Sequence, residues 1–164
     1  MMTRIRNPHT LVPEGMKAMY ALEKSFETSG LDPVLRELVK LRVSQINGCA
    51  FCIHMHATDL RKAGASEMRL YMLEAWRESS LYSEQEQAAL GWAEALTYLP
   101  QTKAPDVDYE RLRASFTEAE QVQLTLLIGA INTWNRLQVG FRVPHAVDKA
   151  DTDAPRSEGG RAAA

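Results

Sequence analysis

Apolar residues recur at intervals of three and four along most of the chain, which is the spacing of helices that bury one face. The first of these patterns begins at Pro13 and stops at Gly30. The second begins at Asp32 and Pro33, because aspartate is a good N-cap and proline is tolerated at the first helical position, and it stops at Gly48. No segment alternates apolar and polar residues with many β-branched side chains, so the sequence predicts an all-α domain of six or seven helices.

The later helices are marked by their capping residues. Segments 83–86 (Ser-Glu-Gln-Glu) and 117–120 (Thr-Glu-Ala-Glu) match the capping box, in which two side chains satisfy free backbone amides of the first turn. Ser66 caps a short helix, and Pro100 closes the helix that begins at Ser83. The last helix is apolar nearly all round in its middle, as expected of a central or interface helix. The predicted helices after residue 48 span about 49–63, 66–76, 83–99, 106–116 and 117–140.

Length, composition and charge limit the class of protein. A chain of 164 residues fits one domain, predicted over 1–147, whereas the polar tail 148–164 is predicted to be disordered. The formal net charge of −2 and the lack of a Lys/Arg-rich run argue against nucleic acid or an anionic membrane as a partner. The longest apolar run, 124–131, is too short to span a bilayer, and the N-terminus lacks the apolar core of a signal peptide. We therefore expect a cytoplasmic protein.

Both cysteines and two of the four histidines fall within residues 47–60. If Cys49 opens a helix, the turn of about 100° per residue places Cys49, Cys52 and His56 on one stripe that is otherwise apolar. His54 points about 160° away from His56 and is expected at the surface or at an interface. In a reducing compartment, two cysteines at this spacing are more often catalytic, redox-active or metal-binding than a permanent disulfide.

This arrangement favours thiol redox chemistry. At the start of a helix, Cys49 meets the positive end of the helix dipole and free backbone amides, which favour thiolate over thiol. His56 follows Cys52 by one turn, where it can take the proton of that thiol or pair with its thiolate. Two thiols separated by two residues can join with little backbone movement, so an oxidised Cys52 can be resolved by Cys49.

Two other interpretations fit the same residues. Cys49, Cys52 and His56 could ligate a metal with Glu37 or another histidine as the fourth ligand, although no second Cys/His pair stands at zinc-finger spacing. The cysteines could also be two small buried hydrophobic residues. The sequence has no glycine-rich phosphate loop and no sign of a flavin, haem or nucleotide site. We expect no cofactor and no resident metal, and favour the redox interpretation.

The order Glu37, eleven residues, Cys49, two residues, Cys52, three residues, His56 resembles the core motif of the alkylhydroperoxidase D (AhpD)-like proteins. These proteins belong to the carboxymuconolactone decarboxylase superfamily. The segment 37–56 is similar to that family almost residue for residue, and the Asn-Thr-Trp-Asn-Arg segment at the end of the last predicted helix resembles the closing helix of the family.

The resemblance implies an AhpD-like helical fold that forms homo-oligomers, trimers or hexamers, and a peroxidase that reduces organic hydroperoxides in antioxidant defence. It implies Cys52 as the peroxidatic thiol, Cys49 as the resolving thiol, and Glu37 with His56 as the proton relay. Burial is expected to raise the pKa of Glu37. Phe51 stands where the best-studied peroxidase of the family has a histidine, so the relay implied here lacks that group. The decarboxylases of the family act on a lactone and lack the cysteine pair.

The implied cycle needs an external dithiol reductant, which in the family is a lipoyl group or a related carrier. The same cysteine pair also fits a disulfide reductase, or a non-enzymatic redox sensor or adaptor whose disulfide changes oligomer state or partner binding. Fast single oxidation with slow turnover would favour the sensor. Bound metal that masks the thiols would favour a metal-binding protein, which is the third alternative.

Overall fold

The computed structural model describes residues 2–5 and 7–146, which contain eight α-helices and no β-strand. The predicted all-α class is confirmed, and the predicted number of helices is too low. The predicted tail, 148–164, lies outside the described residues, and the domain limits 1–147 stay a prediction. The helices are α1 (Pro13–Ser25), α2 (Pro33–Ile46), α3 (Ala50–Lys62), α4 (Glu67–Tyr71), α5 (Glu84–Thr97), α6 (Leu99–Thr102), α7 (Asp106–Ser115) and α8 (Glu118–Phe141).

Capping side chains fix the start of several helices. The carboxylate of Asp32 accepts a hydrogen bond from a backbone amide in the first turn of α2 at 2.9 Å. Both predicted capping boxes are present, with Ser83 and Glu86 at the start of α5 and Thr117 and Glu120 at the start of α8. Each cap satisfies amides that the helix itself leaves unpaired, which is why these starts can be predicted from the sequence.

Three helix boundaries differ from the predicted ones. The first α-helix ends at Ser25, and Phe26–Thr28 continue it as a 3₁₀ turn. After α4 the chain continues as a 3₁₀ segment, Met72–Glu78, in which Ala75 departs from helical dihedral angles. Pro100 does not close α5. It lies in the first turn of α6, where a backbone N–H has no partner within the helix, so the N–H that proline lacks is not missed. This short helix is the one that the sequence analysis did not predict.

Helices α2 and α8 form the centre of the fold. Helix α2 packs against α3, α5 and α8, and both cysteines belong to the apolar cluster that these helices enclose. Burial of each large apolar side chain contributes roughly 1.5–3 kcal/mol to the stability of the fold. The cysteines therefore lie in a stable, well-packed part of the protein. In the described ranges, no helix combines the length and hydropathy needed to cross a bilayer. The most deeply buried aliphatic residues of α2 and α8 are Leu38, Val39, Val43, Leu124, Leu127, Ile128 and Ile131.

The N-terminal segment returns to the far end of α8. The backbone N–H of Arg4 donates to the carbonyl of Phe141 at 3.0 Å, and its guanidinium donates to the carbonyl of Gly140 at 3.0 Å. Further along this segment, His9 stacks on Trp134 with ring centroids 5.9 Å apart. The segment thereby becomes one wall of the pocket described below.

Candidate active site

The turn between α2 and α3 positions the thiol pair. Gly48 has a φ angle of 63°, a left-handed conformation that glycine adopts without a steric penalty. The N–H of Cys49 donates to the carbonyl of Ser44 at 3.0 Å, and that of Gly48 to the carbonyl of Gln45 at 3.1 Å, which is the Schellman pattern of helix ends. Cys49 follows this turn directly and is the N-cap of α3, which is the helix start that the sequence predicts for it.

Cys49 and Cys52 form a hydrogen-bonded pair in the core, where each is 1% exposed. The Cys49 sulfur accepts a hydrogen bond from the backbone N–H of Cys52 at 3.3 Å. The Cys52 thiol, with help from this N–H, lowers the pKa of Cys49 to about 7 against the opposite effect of burial. The bond to Cys49, and then burial, raise the pKa of Cys52. The surroundings of the pair therefore favour a thiolate at Cys49 more than at Cys52.

His56 and Glu37 meet across two helices. Nδ1 of His56, on α3, lies 2.7 Å from Oε2 of Glu37, on α2. A carboxylate partner makes Nδ1 the N–H that donates, which leaves Nε2 as the nitrogen that can accept or release a proton. Nε2 is buried and has no hydrogen-bond partner within the described residues. It is therefore a buried polar atom that a bound molecule can satisfy.

The pKa of Glu37 is lower than usual, so the expectation that burial would raise it is wrong. Burial favours the neutral acid, but the hydrogen bond and charge of His56 and the charge of Lys40 together outweigh it. The Lys40 ammonium lies 3.5 Å from Oε1 of Glu37 and 2.8 Å from Oε2 of Glu23. Glu37 is thus an ionised partner of His56, and Lys40 and Glu23 extend the polar chain beyond the motif. Neither residue was a candidate in the sequence analysis.

A buried amide network supports the thiols from the side of α8. Asn135, which is 1% exposed, donates to the hydroxyl of Ser44 at 3.1 Å and accepts from the side chain of Asn47 at 2.9 Å. Hydrogen bonding by Asn135 also lowers the pKa of Cys49. The sequence analysis missed this network. Its signal in the sequence is the pair Asn132 and Asn135, which follows the apolar middle of the last helix, where a buried amide needs a partner.

A pocket of about 360 Å³ opens onto Cys52 and His56, whereas Cys49 does not line it. A small molecule in this pocket therefore meets Cys52 first, with Cys49 behind it. Most of the other walls are apolar or aromatic. They include Tyr20, Phe51, Met55, Ile131 and Trp134.

The structure brings the four predicted site residues together. Cys49, Cys52 and His56 lie along one buried stripe of α3, as their spacing predicts, and Glu37 reaches them from α2. His54 is exposed, as predicted, with its ring centroid 5.6 Å from that of His145. Among residues 2–5 and 7–146, no three His, Cys, Asp or Glu side chains converge to hold a metal ion. The ligand set that the metal-binding alternative requires is therefore not formed there.

The bond between Glu37 and His56 predicts a pH-dependent loss of stability in Glu37→Gln. Because the pKa of Glu37 is lowered from 4.5 in the folded state, the carboxylate stabilises the fold above that value, and this contribution disappears as the pH falls through the folded pKa. At pH 7 the free energy of unfolding of the variant should be about 1–2 kcal/mol lower than that of the unmodified protein. Urea denaturation at pH 7 and at a series of pH values below 4.5 tests this: the difference between the two proteins should shrink as the pH falls, and a difference that does not depend on pH would contradict it.

The amide network predicts a higher thiol pKa in Asn135→Ala. The variant loses a hydrogen bond that stabilises the Cys49 thiolate, so the pKa of Cys49 should rise from its value of about 7. It should also lose about 1–3 kcal/mol of stability, because a buried partner of Ser44 and Asn47 is removed. Thiolate absorbance in the ultraviolet, followed against pH, measures the first effect. Thr133→Ala, on the solvent side of α8, is the control, and equal titration curves for all three proteins would rule out this role of Asn135.

Comparison with known proteins links the sequence to a described family. The sequence profile of the carboxymuconolactone decarboxylase family matches residues 12–95. An uncharacterized protein of Bacillus subtilis, YdfG, is 47% identical over 133 residues, which are 81% of this chain and 90% of YdfG.

Solved structures share the fold. A protein of unknown function from Agrobacterium tumefaciens, whose name proposes an antioxidant defence role of the AhpD type, has a TM-score of 0.85 and 50% identity over 90% of this chain and 100% of its own. An uncharacterized peroxidase-related protein from Ralstonia eutropha with an AhpD core has a TM-score of 0.71 over 82% of this chain and 72% of its own, at 18% identity. The second likeness concerns the fold alone. Together these matches confirm the predicted resemblance and the AhpD-like helical fold.

Proposed function

The chain belongs to the carboxymuconolactone decarboxylase family, and we propose that it is a thiol peroxidase that reduces organic hydroperoxides with Cys49 and Cys52. The observation that carries the proposal is the position of Cys52 and His56 on the wall of one pocket, with Cys49 hydrogen-bonded behind Cys52. Peroxide reduction by a thiol pair needs a nucleophilic thiol, a proton-transfer group and a resolving thiol. These three parts lie within two turns of α3.

Access and charge give the two thiols different roles. Of the two, only Cys52 lines the pocket, so the peroxide meets the sulfur of Cys52. The proton of this thiol passes to Nε2 of His56, and the bound peroxide completes the path because Nε2 has no partner in the resting structure. The lowered pKa of Cys49 suits a thiol that must attack as soon as Cys52 is oxidised.

In the first step the thiolate of Cys52 attacks the terminal oxygen of the hydroperoxide and the O–O bond breaks. The sulfur is oxidised to sulfenic acid, and the electron pair of the broken bond leaves with the alkoxide. The protonated Nε2 of His56 returns its proton to the alkoxide, which becomes the alcohol. The ionised Glu37 stabilises the imidazolium through Nδ1 during this exchange.

In the second step the thiolate of Cys49 attacks the oxidised sulfur of Cys52. The S–S bond forms, the S–O bond breaks, and the hydroxide takes a proton from solvent and leaves as water. An external dithiol then reduces the disulfide by two thiol–disulfide exchanges, and a carrier of the lipoyl type is the proposed reductant. A cytoplasmic location and a trimeric or hexameric assembly form part of the same proposal.

The test follows the thiols of reduced, chelator-treated protein after one equivalent of cumene hydroperoxide. We expect the loss of both thiols, a decrease of about two mass units for the disulfide, and release of one equivalent of alcohol. Addition of dihydrolipoamide should then restore the thiols and sustain turnover. A protein in which both cysteines are replaced by serine is the control and should release no alcohol.

Two results would redirect the proposal. Survival of both thiols would overturn the peroxidase function. Rapid formation of the disulfide without turnover by any dithiol would favour the redox sensor.

A further inference from the structure

Three aromatic rings that line the pocket form one of its walls. The ring centroids of Tyr20 and Trp134 are 5.5 Å apart with an interplanar angle of 37°, and His9 stacks on Trp134 at 5.9 Å. The hydroxyl of Tyr20 lies 3.3 Å from Nδ1 of His9, which ties the N-terminal segment to α1. The wall is therefore a connected cluster rather than three independent side chains.

The pocket has further apolar lining. Phe51, Met55 and Ile131 line it together with the three rings and the reactive groups Cys52 and His56. At about 360 Å³ the pocket lies at the small end of the range for small-molecule sites, which is roughly 300–1,000 Å³. Such a volume suits a compact ring better than a long acyl chain. Aromatic rings prefer stacked or edge-to-face neighbours, which this wall supplies.

The charged groups of the pocket do not offer a site for an ionic substrate. The ammonium of Lys40 binds Glu23 at 2.8 Å, and the other oxygen of Glu23 accepts a hydrogen bond from the indole N–H of Trp134 at 3.0 Å. Lys40 also lies 3.5 Å from Glu37. Two carboxylates thus surround one ammonium, an excess of negative charge that disfavours a substrate carrying a carboxylate.

We propose that this pocket selects an uncharged organic hydroperoxide whose carbon skeleton carries an aromatic ring. The proposal rests on the peroxidase function proposed above and names its substrate class. The ring of the substrate packs between Phe51 and the wall formed by His9, Tyr20 and Trp134. The peroxide group then points inward to Cys52 and Nε2 of His56.

Cumene hydroperoxide and tert-butyl hydroperoxide provide a matched comparison, because both are tertiary and differ by a phenyl in place of a methyl group. The second-order rate constant for oxidation of the reduced protein should be about tenfold higher for the cumene compound, after correction for their rates with a free dithiol. An anionic fatty-acid hydroperoxide should react more slowly than the cumene compound. Equal corrected rates for the two tertiary peroxides would overturn the proposal.

Removal of one ring tests the wall directly. Tyr20→Leu should lower the ratio of the two rate constants about three- to fivefold, because one aromatic contact is lost. Tyr20 is 54% exposed, so this change should not prevent folding. Tyr98→Leu is the matched control, because Tyr98 is 44% exposed and does not line the pocket, and its ratio should stay unchanged. A ratio that falls equally in both variants would contradict a role of the wall.

Binding of the product alcohol separates the substrate class from the reaction. In Cys52→Ser, which is not oxidised at that position, 2-phenyl-2-propanol should bind at least about fivefold more tightly than tert-butanol by calorimetry. Tight binding without any peroxide oxidation in the unmodified protein would leave the aromatic specificity intact and remove the peroxidase function. Oxidation without a preference in either assay would leave the peroxidase function intact and remove the aromatic specificity.

Discussion

Cys52→Ser is expected to stop peroxide reduction, with a fall in the rate of sulfenic acid formation on the order of a thousandfold or more. In this variant Cys49 keeps its position as the N-cap of α3, and the serine hydroxyl can still donate a hydrogen bond to its thiolate. The charge therefore survives the substitution. What the variant loses is the sulfur that lines the pocket. The measurement is stopped-flow oxidation in the presence of a sulfenic acid reagent, followed by mass spectrometry of the labelled peptide.

Cys49→Ser is the matched variant and should show the opposite behaviour. Its Cys52 reacts once with peroxide, gains about 16 mass units as sulfenic acid and remains trapped, because the resolving thiol is missing. The label should then lie on Cys52. A sulfenic acid on Cys49 in the Cys52→Ser protein, formed at the unmodified rate, would exchange the two roles and show that charge rather than access selects the nucleophile.

Cys52 lines the pocket while Cys49 has the lowered pKa, and this difference follows from the position of the pair at the start of a helix. The first turn of α3 presents its free N–H groups to Cys49, and one of them donates to its sulfur at 3.3 Å. Cys52 lies three residues further along: its own N–H is the amide that donates to Cys49, and its side chain lines the pocket. A helix start can thus stabilise the thiolate at one cysteine while it exposes the other to substrate.

Much of the site could be predicted from sequence because it depends on local geometry. The cap at Asp32, the turn at Gly48 and the stripe of Cys49, Cys52 and His56 all follow from interactions within a few residues along the chain. The repeat of the helix fixes which side chains share a face, whatever packs against that face. The error at Pro100 has a local cause too, since a proline can end one helix or begin the next.

The missing parts of the site depend on how helices pack. Lys40 bonds Glu23 across 17 residues, and Asn135 meets Asn47 across 88 residues. Such contacts depend on the angles and distances between α1, α2 and α8, which the sequence pattern does not give. The error in the pKa of Glu37 has the same kind of cause in part. Burial alone would raise this pKa, and the packing of α3 on α2 brings His56 to the carboxylate, whereas Lys40 lies near it at i+3 on the same helix.

His56→Gln is expected to slow the oxidation of Cys52 by cumene hydroperoxide about a hundredfold, the lower end of the usual contribution of a general acid or base. The glutamine amide can still donate a hydrogen bond to Glu37, so the contact between α2 and α3 persists. What is lost is the nitrogen Nε2, which is buried without a partner in the described residues and belongs to a side chain that lines the pocket. His54→Gln, on the exposed side of the same helix, is the matched control and should react at the unmodified rate.

The leaving group distinguishes proton transfer from a structural role of His56. An alkyl hydroperoxide releases an alkoxide that must be protonated, whereas a peroxy acid releases a carboxylate that is stable without a proton. If Nε2 donates the proton, the deficit of His56→Gln should shrink at least about tenfold when peracetic acid replaces cumene hydroperoxide. If the imidazole only holds the thiols in place, the deficit should be the same for both oxidants. That second outcome would remove His56 as the proton donor to the leaving alkoxide, while its hydrogen bond with Glu37 would remain as a contact between α2 and α3.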